Sequence, residues 1–170
     1  MTKLALVTGA ARGIGLATSK LFLADGWHVV MLDRDADELS AVTQGLAGAT
    51  PLVADVSLPD AVEQACAEVT RLAASLKSPG LNALVNNAGV AVVGPTELAT
   101  FADWDWVMGV NVGGTINGVT TMLPRILSHG EGGHIVNTAS MSGIVPVGGT
   151  TIYSTGKAAV VTMMECMRPE

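Results

Sequence analysis

Tyr153-Ser154-Thr155-Gly156-Lys157 carries the pair of residues in this sequence best suited to moving a proton. Tyr153 is the only tyrosine, and Lys157 is one of four lysines. Four residues apart on a helix, the two side chains project from one face. An ammonium beside a phenol stabilises the phenolate, which general acid/base chemistry requires. A surface Tyr and Lys at helical spacing would produce the same pattern, so the pair needs support from elsewhere. Ser140 supplies some, since it stands thirteen residues earlier at the end of an apolar run whose far edge should face the same crevice. A second group of residues suits a phosphate. Gly9, Gly13 and Gly15 lie between the apolar run at 4–7 and a helical apolar spacing that begins at Ile14. A strand, a glycine turn and a helix in that order gather free N–H groups and the positive end of a helix dipole at one point. The glycines let the backbone turn tightly and come close to a ligand. Any glycine-bearing strand-to-helix turn matches this pattern in outline.

The elements that must hold these residues follow from the periodicity. Residues 4–7 read as a first strand and 14–23 as a helix that stops near Gly26. Residues 27–33 make a second strand closed by Asp33, about 20 residues past the glycine turn, where a dinucleotide-binding unit offers an acid to the adenosine ribose. A helix over 35–46 and a third strand over 51–56 come next, and this strand carries Asp55. That carboxylate reads either as a cofactor contact or as an ordinary turn cap. Residues 59–75 form an amphipathic helix with Val62, Ala65, Cys66, Val69 and Leu72 on one face, which puts Cys66 in the core. A fourth strand over 81–85 runs straight into Asn86-Asn87-Ala88-Gly89. Two amides there can bridge neighbouring strand ends, and the glycine lets backbone pass near a ligand. From 100 to 127 the pattern is helical but broken at Gly113-Gly114 and Gly118, with Asn111 at the break and Pro124 bending the last turns. Trp104 and Trp106 read as a binding platform or as helix packing and an interface. A fifth strand over 134–140 ends in Ser140, and 151–167 is a further helix. His28, His129 and His134 fall on separate elements and read as structural.

Composition bounds the rest. With 170 residues, 49% of them hydrophobic, 20 glycines and 14% charged, the sequence describes one α/β domain with a sizeable core. A net charge of −6 argues against a nucleic-acid partner, for which a basic face would be expected. Cys66 and Cys166 have no metal-ligand spacing, so no metal site and no disulfide framework are expected. No apolar run reaches membrane-spanning length and no signal segment precedes the first strand, so a cytoplasmic chain without a membrane partner is expected.

Thr8-Gly9-x-x-x-Gly13-Ile14-Gly15, Asp55-Val56, Asn86-Asn87-Ala88-Gly89, Asn111, Ser140 and Tyr153-x-x-x-Lys157 together resemble the short-chain dehydrogenase/reductase family, over essentially the whole chain. The resemblance implies a doubly wound α/β fold, Rossmann-like, with a parallel sheet in the order 3-2-1-4-5 in a single domain of residues 1–170. It implies an oxidoreductase that transfers a hydride between NAD(H), with NADP less favoured, and a secondary alcohol or ketone. Gly9, Arg12, Gly13, Ile14 and Gly15 would then surround the pyrophosphate, and Asp33 would hold the adenosine ribose. Asp55 and Val56 would flank the adenine, and Asn87, Ala88 and Gly89 would lie along the cofactor near its ribose. Tyr153 would exchange the proton with the substrate oxygen. Lys157 would stabilise the phenolate and hold the nicotinamide ribose, Ser140 would hydrogen-bond the substrate oxygen, and Asn111 would hold a water in a proton relay. Arg12 and Arg34 pull the other way, since basic residues there resemble members that use NADP.

By the same resemblance Val92, Val93, Met141, Val145 and Val147 would line an apolar pocket, which points to a hydrophobic or aromatic alcohol. A homodimer or homotetramer would form through the helices at 111–128 and 151–167. The family sheet has two further strands, so Arg168-Pro169-Glu170 reads as the interior of a longer chain. The fifth strand would be an exposed edge, with Val160, Val161, Met163 and Met164 partly uncovered. A second reading, from another class, is a dinucleotide-binding chain without turnover that serves as a sensor or an assembly subunit.

Overall fold

The computed structural model describes residues 2–168. Pro169 and Glu170, read above as the interior of a longer chain, lie outside the described residues. Five strands, β1 (Leu4–Thr8), β2 (His28–Asp33), β3 (Ala49–Val53), β4 (Ala83–Asn86) and β5 (His134–Asn137), alternate with α1 (Gly13–Ala24), α2 (Ala36–Thr43), α3 (Pro59–Ser75), α4 (Phe101–Met108), α5 (Gly114–Ser128) and α6 (Thr151–Met167). The strands form one sheet in the order β3-β2-β1-β4-β5, and every pairing is parallel. A parallel sheet needs helical crossovers, and these cover both of its faces. The side chains of β1 and β2 accordingly divide between two apolar layers. Leu4, Leu6, Val30 and Leu32 pack on one face with Cys66, Val69 and Met122. Ala5, Val7, Val29 and Met31 pack on the other with Leu39 and, partly buried, Leu16 and Phe22. That alternation explains why the two strands read as unbroken apolar runs.

Several boundaries differ from the sequence reading. The third strand ends at Val53, so Asp55 and Val56 lie beyond the ladder, and their segment turns into α3. The fifth strand ends at Asn137, with Thr138 N donating to Asn86 O as the last bond toward β4. Ser140 therefore stands outside the strand, at the head of a 3₁₀ turn over Met141–Gly143. The first and fourth strands each run one residue further than read, to Thr8 and Asn86, and the fourth begins at Ala83. The helix predicted over 35–46 is shorter at both ends: Asp35 is its cap, accepting from Glu38 N at 3.2 Å, and the chain leaves the helix at Gln44, before Gly45 with its φ of +75°. Between α4 and α5 the chain does not break: Gly109–Gly113 form a π-helical turn that carries one helix into the next. Gly118 lies inside α5 because a Cβ there would be 2.3 Å from the Asn86 amide oxygen. At the C-terminal helix Val160 is buried, while Val161, Met163 and Met164 are half-buried. No helix among the described residues is long and apolar enough to cross a membrane.

Candidate active site

The glycine turn joins β1 to α1 by the closest backbone packing in the site. Gly9 has φ +66°, and a Cβ on it would lie 2.9 Å from Ala88 Cα. A Cβ on Gly15 would lie 2.1 Å from Gly9 O and 2.6 Å from Asn87 Nδ2, so the first turn of α1 rests on the turn that precedes it. Arg12 occupies the N-cap of α1 and contributes no side-chain cap, and the first turn holds no acidic residue. The leading N–H groups of a 12-residue helix are thus left for a ligand, the arrangement that suits an anion. Asp33, at the end of β2, accepts from Ala11 N at 3.0 Å and from Asp35 N at 3.1 Å, which ties the glycine turn to the next strand end. The Arg12 guanidinium pairs with Asp35 at the rim. Asp55 accepts from both Ser57 N (2.9 Å) and Ser57 Oγ (2.7 Å). The Ser57 hydroxyl, against some burial, holds the Asp55 carboxyl below the usual carboxylate range, with Arg34 helping from a distance. Val56, beside it, is fixed from α5, because Asn117 Nδ2 donates to Val56 O at 2.9 Å and Gly114 leaves room for its side chain.

Thr8 and Asn87 stitch three strand ends together. Thr8 Oγ1 accepts from Asn87 N (3.0 Å) and Ala88 N (3.1 Å), while Asn87 Nδ2 donates back to Thr8 O at 3.1 Å. Thr138, just past β5, donates its hydroxyl to Asn87 Oδ1 at 3.3 Å. One residue away, Asn86 Nδ2 donates to Asn137 Oδ1 at 2.8 Å, and Asn137 Nδ2 reaches Met164 Sδ on α6. The paired amides bridge strands as their types suggested.

Lys157 closes the other end of the site. It is only 4% exposed, its Nζ donates to Thr138 O at 2.6 Å, and it lies 5.8 Å from the centroid of the Tyr153 ring. Burial lowers its pKa from the ordinary lysine range. Asn111 is 1% exposed and spends its amide on Val90: Nδ2 donates to Val90 O at 2.9 Å, and Oδ1 accepts from Val90 N at 2.8 Å. Its main-chain carbonyl accepts the Thr115 hydroxyl at 2.8 Å. Ser140 Oγ accepts from Ser142 N at 3.1 Å, capping the 3₁₀ turn.

A cleft of about 680 Å³ runs along the C-terminal edge of the sheet. It brings Gly9, Arg12, Gly13 and Ile14 together with Asp33, Asp55, Val56, Asn87, Ala88 and Gly89, and reaches Tyr153 and Lys157. Gly15, Asn111 and Ser140 do not line it: the first is packed beneath the turn, the second behind Val90, and the third stands on its own turn. Val93, Met141, Val145 and Val147 are exposed and Val92 is half-buried, so they form no closed pocket among the described residues. The structure adds Thr138, whose carbonyl and hydroxyl both serve the site. Sequence reasoning passes over such a residue because a main-chain carbonyl leaves no trace in residue type. Thr8 was legible only as part of the glycine motif, not as the acceptor for the Asn87 and Ala88 amides.

Three comparisons bear on this geometry. C alpha-dehydrogenase of Sphingobium sp. (strain NBRC 103272 / SYK-6) is 35% identical over 170 residues, which is 98% of this chain and 54% of that protein. LigO from Sphingobium sp. strain SYK-6, solved in its apo form, superposes with a TM-score of 0.90 at 40% identity, over 99% of this chain and 62% of that one. A short chain dehydrogenase/reductase SDR from Burkholderia phymatum, solved in complex with NAD, superposes with a TM-score of 0.89 at 33% identity, over 98% of this chain and 59% of that one. The chain thus spans between about half and two thirds of the length of these relatives. The family model described as short chain dehydrogenase matches residues 3–170, and with the sheet order and the site just described it establishes that this chain belongs to the short chain dehydrogenase family.

Proposed function

We propose that this chain is an NAD(H)-dependent oxidoreductase acting on a secondary alcohol or ketone, with Tyr153 as general acid/base. The observation that carries the reading is a single cleft that runs from the glycine turn to a buried lysine beside the only tyrosine. The residues present suit a dinucleotide: an uncapped helix N-terminus, a glycine turn packed too closely for a Cβ at Gly9 or Gly15, and carboxylates at the end of β2 and just past the end of β3. Gly9, Arg12, Gly13, Ile14 and Gly15 would hold its pyrophosphate, Asp33 its adenosine ribose, and Asp55 and Val56 its adenine. Asn87, Ala88 and Gly89 would lie along it, with Lys157 at the nicotinamide ribose. A bound nicotinamide supplies the hydride exchange, and the protein supplies orientation and the proton. Tyr153 passes that proton to or from the substrate oxygen, with the Lys157 ammonium 5.8 Å from the centre of its ring, and Ser140 holds the same oxygen. Asn111 fixes the backbone at Val90 and would hold a relay water.

The C-terminal strand ends lead into two loops that meet where Gly94 N donates to Gly149 O at 2.8 Å. Val93, Met141, Ile144, Val145 and Val147 stand exposed on those loops, which favours an apolar or aromatic substrate. Residues 1–170 act as one domain, in the cytoplasm and as a homo-oligomer.

Replacing Tyr153 by Phe tests the reading. Turnover of a secondary alcohol should fall about a hundredfold or more while NADH affinity stays within about twofold, because the hydroxyl carries the proton and does little to hold the dinucleotide. More than about a tenth of the wild-type kcat would remove Tyr153 from the role. A wild-type chain that binds NADH yet turns over none of a panel of secondary alcohols would favour a sensor or assembly subunit.

A further inference from the structure

We infer that Lys157 latches the segment carrying Ser140 onto α6 at two points, and that Gly143 is the positioning residue that makes the second point possible. At the first point the Lys157 ammonium donates to the Thr138 carbonyl at 2.6 Å from a nearly fully buried position. At the second, the 3₁₀ turn Met141–Gly143 rests directly on the backbone of the same lysine. A Cβ on Gly143 would lie 2.7 Å from both the carbonyl carbon and oxygen of Lys157, and 2.9 Å from Ala158 N. Side-chain carbons do not approach backbone that closely, and helix backbone has no rotamer with which to give way. Gly143 is not among the glycines with positive φ, so the requirement is contact and not conformation.

Ser140 lies between the two points. Its carbonyl accepts from Gly143 N at 3.0 Å and its hydroxyl from Ser142 N at 3.1 Å, so the serine moves with the turn. The first point also connects backward, since the Thr138 hydroxyl donates to Asn87 Oδ1. Lys157 thereby sets, through Thr138 and Gly143, where the Ser140 hydroxyl stands relative to the Tyr153 ring one helical turn before it. Gly148, in the same loop, meets nothing within 4 Å, so the tight packing belongs to Gly143 alone of the two.

The part of this inference that concerns Ser140 rests on the oxidoreductase reading, whereas the latch itself does not. Two measurements on the whole chain test it. In Gly143→Ala, kcat for a secondary alcohol should fall about tenfold or more with NADH affinity within about twofold, while Gly148→Ala keeps both at the wild-type values. A residue serving only general stability would not divide the two parameters in this way. In Lys157→Met, which keeps the stem and removes the ammonium, hydrogen exchange at the Gly143, Ile144 and Val145 amides should quicken about tenfold or more, with the Leu6 and Val7 amides unchanged. Those three amides are bonded within the turn, to Ser140 O and Met141 O, so they report its docking. Exchange needs neither substrate nor turnover, and it decides the matter if Gly143→Ala does not fold or if the chain proves inactive. Wild-type kcat in Gly143→Ala, or unchanged exchange in Lys157→Met, would overturn the inference.

Discussion

Asp33 holds both of its oxygens toward backbone N–H groups, of Ala11 and of Asp35, and so its charge is fixed at the end of β2 where an adenosine ribose would lie. A 2′-phosphate brought to about 5 Å of that carboxylate, at an effective dielectric near 20, meets a repulsion on the order of 3 kcal/mol per unit charge before screening. Arg12 and Arg34 would offset this, but the Arg12 guanidinium is paired with Asp35, and the charge of Arg34, which also lines the cleft, acts on Asp55. NAD(H) should therefore bind about tenfold or more tightly than NADP(H). Fluorescence titration of NADH and NADPH measures the ratio, and Asp35→Asn, which releases Arg12, should narrow it; equal or tighter NADPH binding by the wild type would refute the assignment. The acid was legible because a carboxylate closing an apolar run stands at a strand end by periodicity. The Arg12–Asp35 pair was not, since residues on two different strand-to-helix turns meet only once the sheet order is set. Lys157 was found by its spacing from Tyr153, but spacing gave no sign that its ammonium would be buried on a carbonyl of the neighbouring strand end.

The glycine turn and the α3–α5 interface show what the elements demand of single residues. Gly13 has φ +55° with nothing within 4 Å of a would-be Cβ, whereas Gly15 has no positive φ and a would-be Cβ 2.1 Å from Gly9 O. Gly13→Ala should thus cost only the left-handed backbone penalty, about 1–2 kcal/mol. Gly15→Ala forces α1 away from the turn; its loss should be clearly larger, about 3 kcal/mol, at the upper end of overpacking costs. Urea denaturation of both variants checks the order, and equal losses would contradict it. Across the sheet, Cys66 on α3 is fully buried against α5, with its thiol 3.8 Å from Thr121 O. Burial pushes this thiol from its usual 9.0 up to about 11. Between those values the folded state keeps a proton that the unfolded state has lost, so the contribution is whole below pH 9.0 and fades as pH rises toward about 11. The stability of Cys66→Ala should fall less steeply than the wild type over that range, as followed by urea midpoints; parallel curves would exclude the thiol as the cause. Helices α3 and α6 were legible to the residue because a proline start or a regular apolar face marks them. The ends of β3 and β5 were not. Apolar periodicity reports burial, and Val56 is buried by Gly114 of α5 rather than by a strand partner.

At the scale of the molecule, the alternation of apolar runs with helical spacings was enough to require a parallel sheet covered on both faces, while the strand order came from the resemblance to a family and is the order observed. Residues buried on one face of a helix were easy to read, and residues that are apolar yet left outside were not, because periodicity cannot say which of two apolar faces turns inward. Helix α5 has both. Val119, Met122 and Ile126 point into the core, while Ile116 is 46% exposed, Leu127 is 66% exposed and Leu123 is half-buried. Ile116, Leu123 and Leu127 are spaced by seven and four residues, which places them along one outer stripe of the helix. On α4, Trp106 is also 42% exposed. Exposed apolar side chains repeated along one helix stripe suit an interface, and a helix face meeting its own copy across a two-fold axis is the simplest closed arrangement. The expected assembly is a homodimer, or a homotetramer built from such dimers, with α5 of one chain against α5 of another. Sedimentation at micromolar concentration should give two or four times the 17.3 kDa of these residues. Ile116→Asp should lower that mass to one chain while changing the unfolding midpoint of the isolated chain little, because an exposed substitution touches no core contact. A wild-type chain that sediments as a monomer would refute the assembly, and an Ile116→Asp variant that keeps the wild-type mass would place the interface away from the outer stripe of α5.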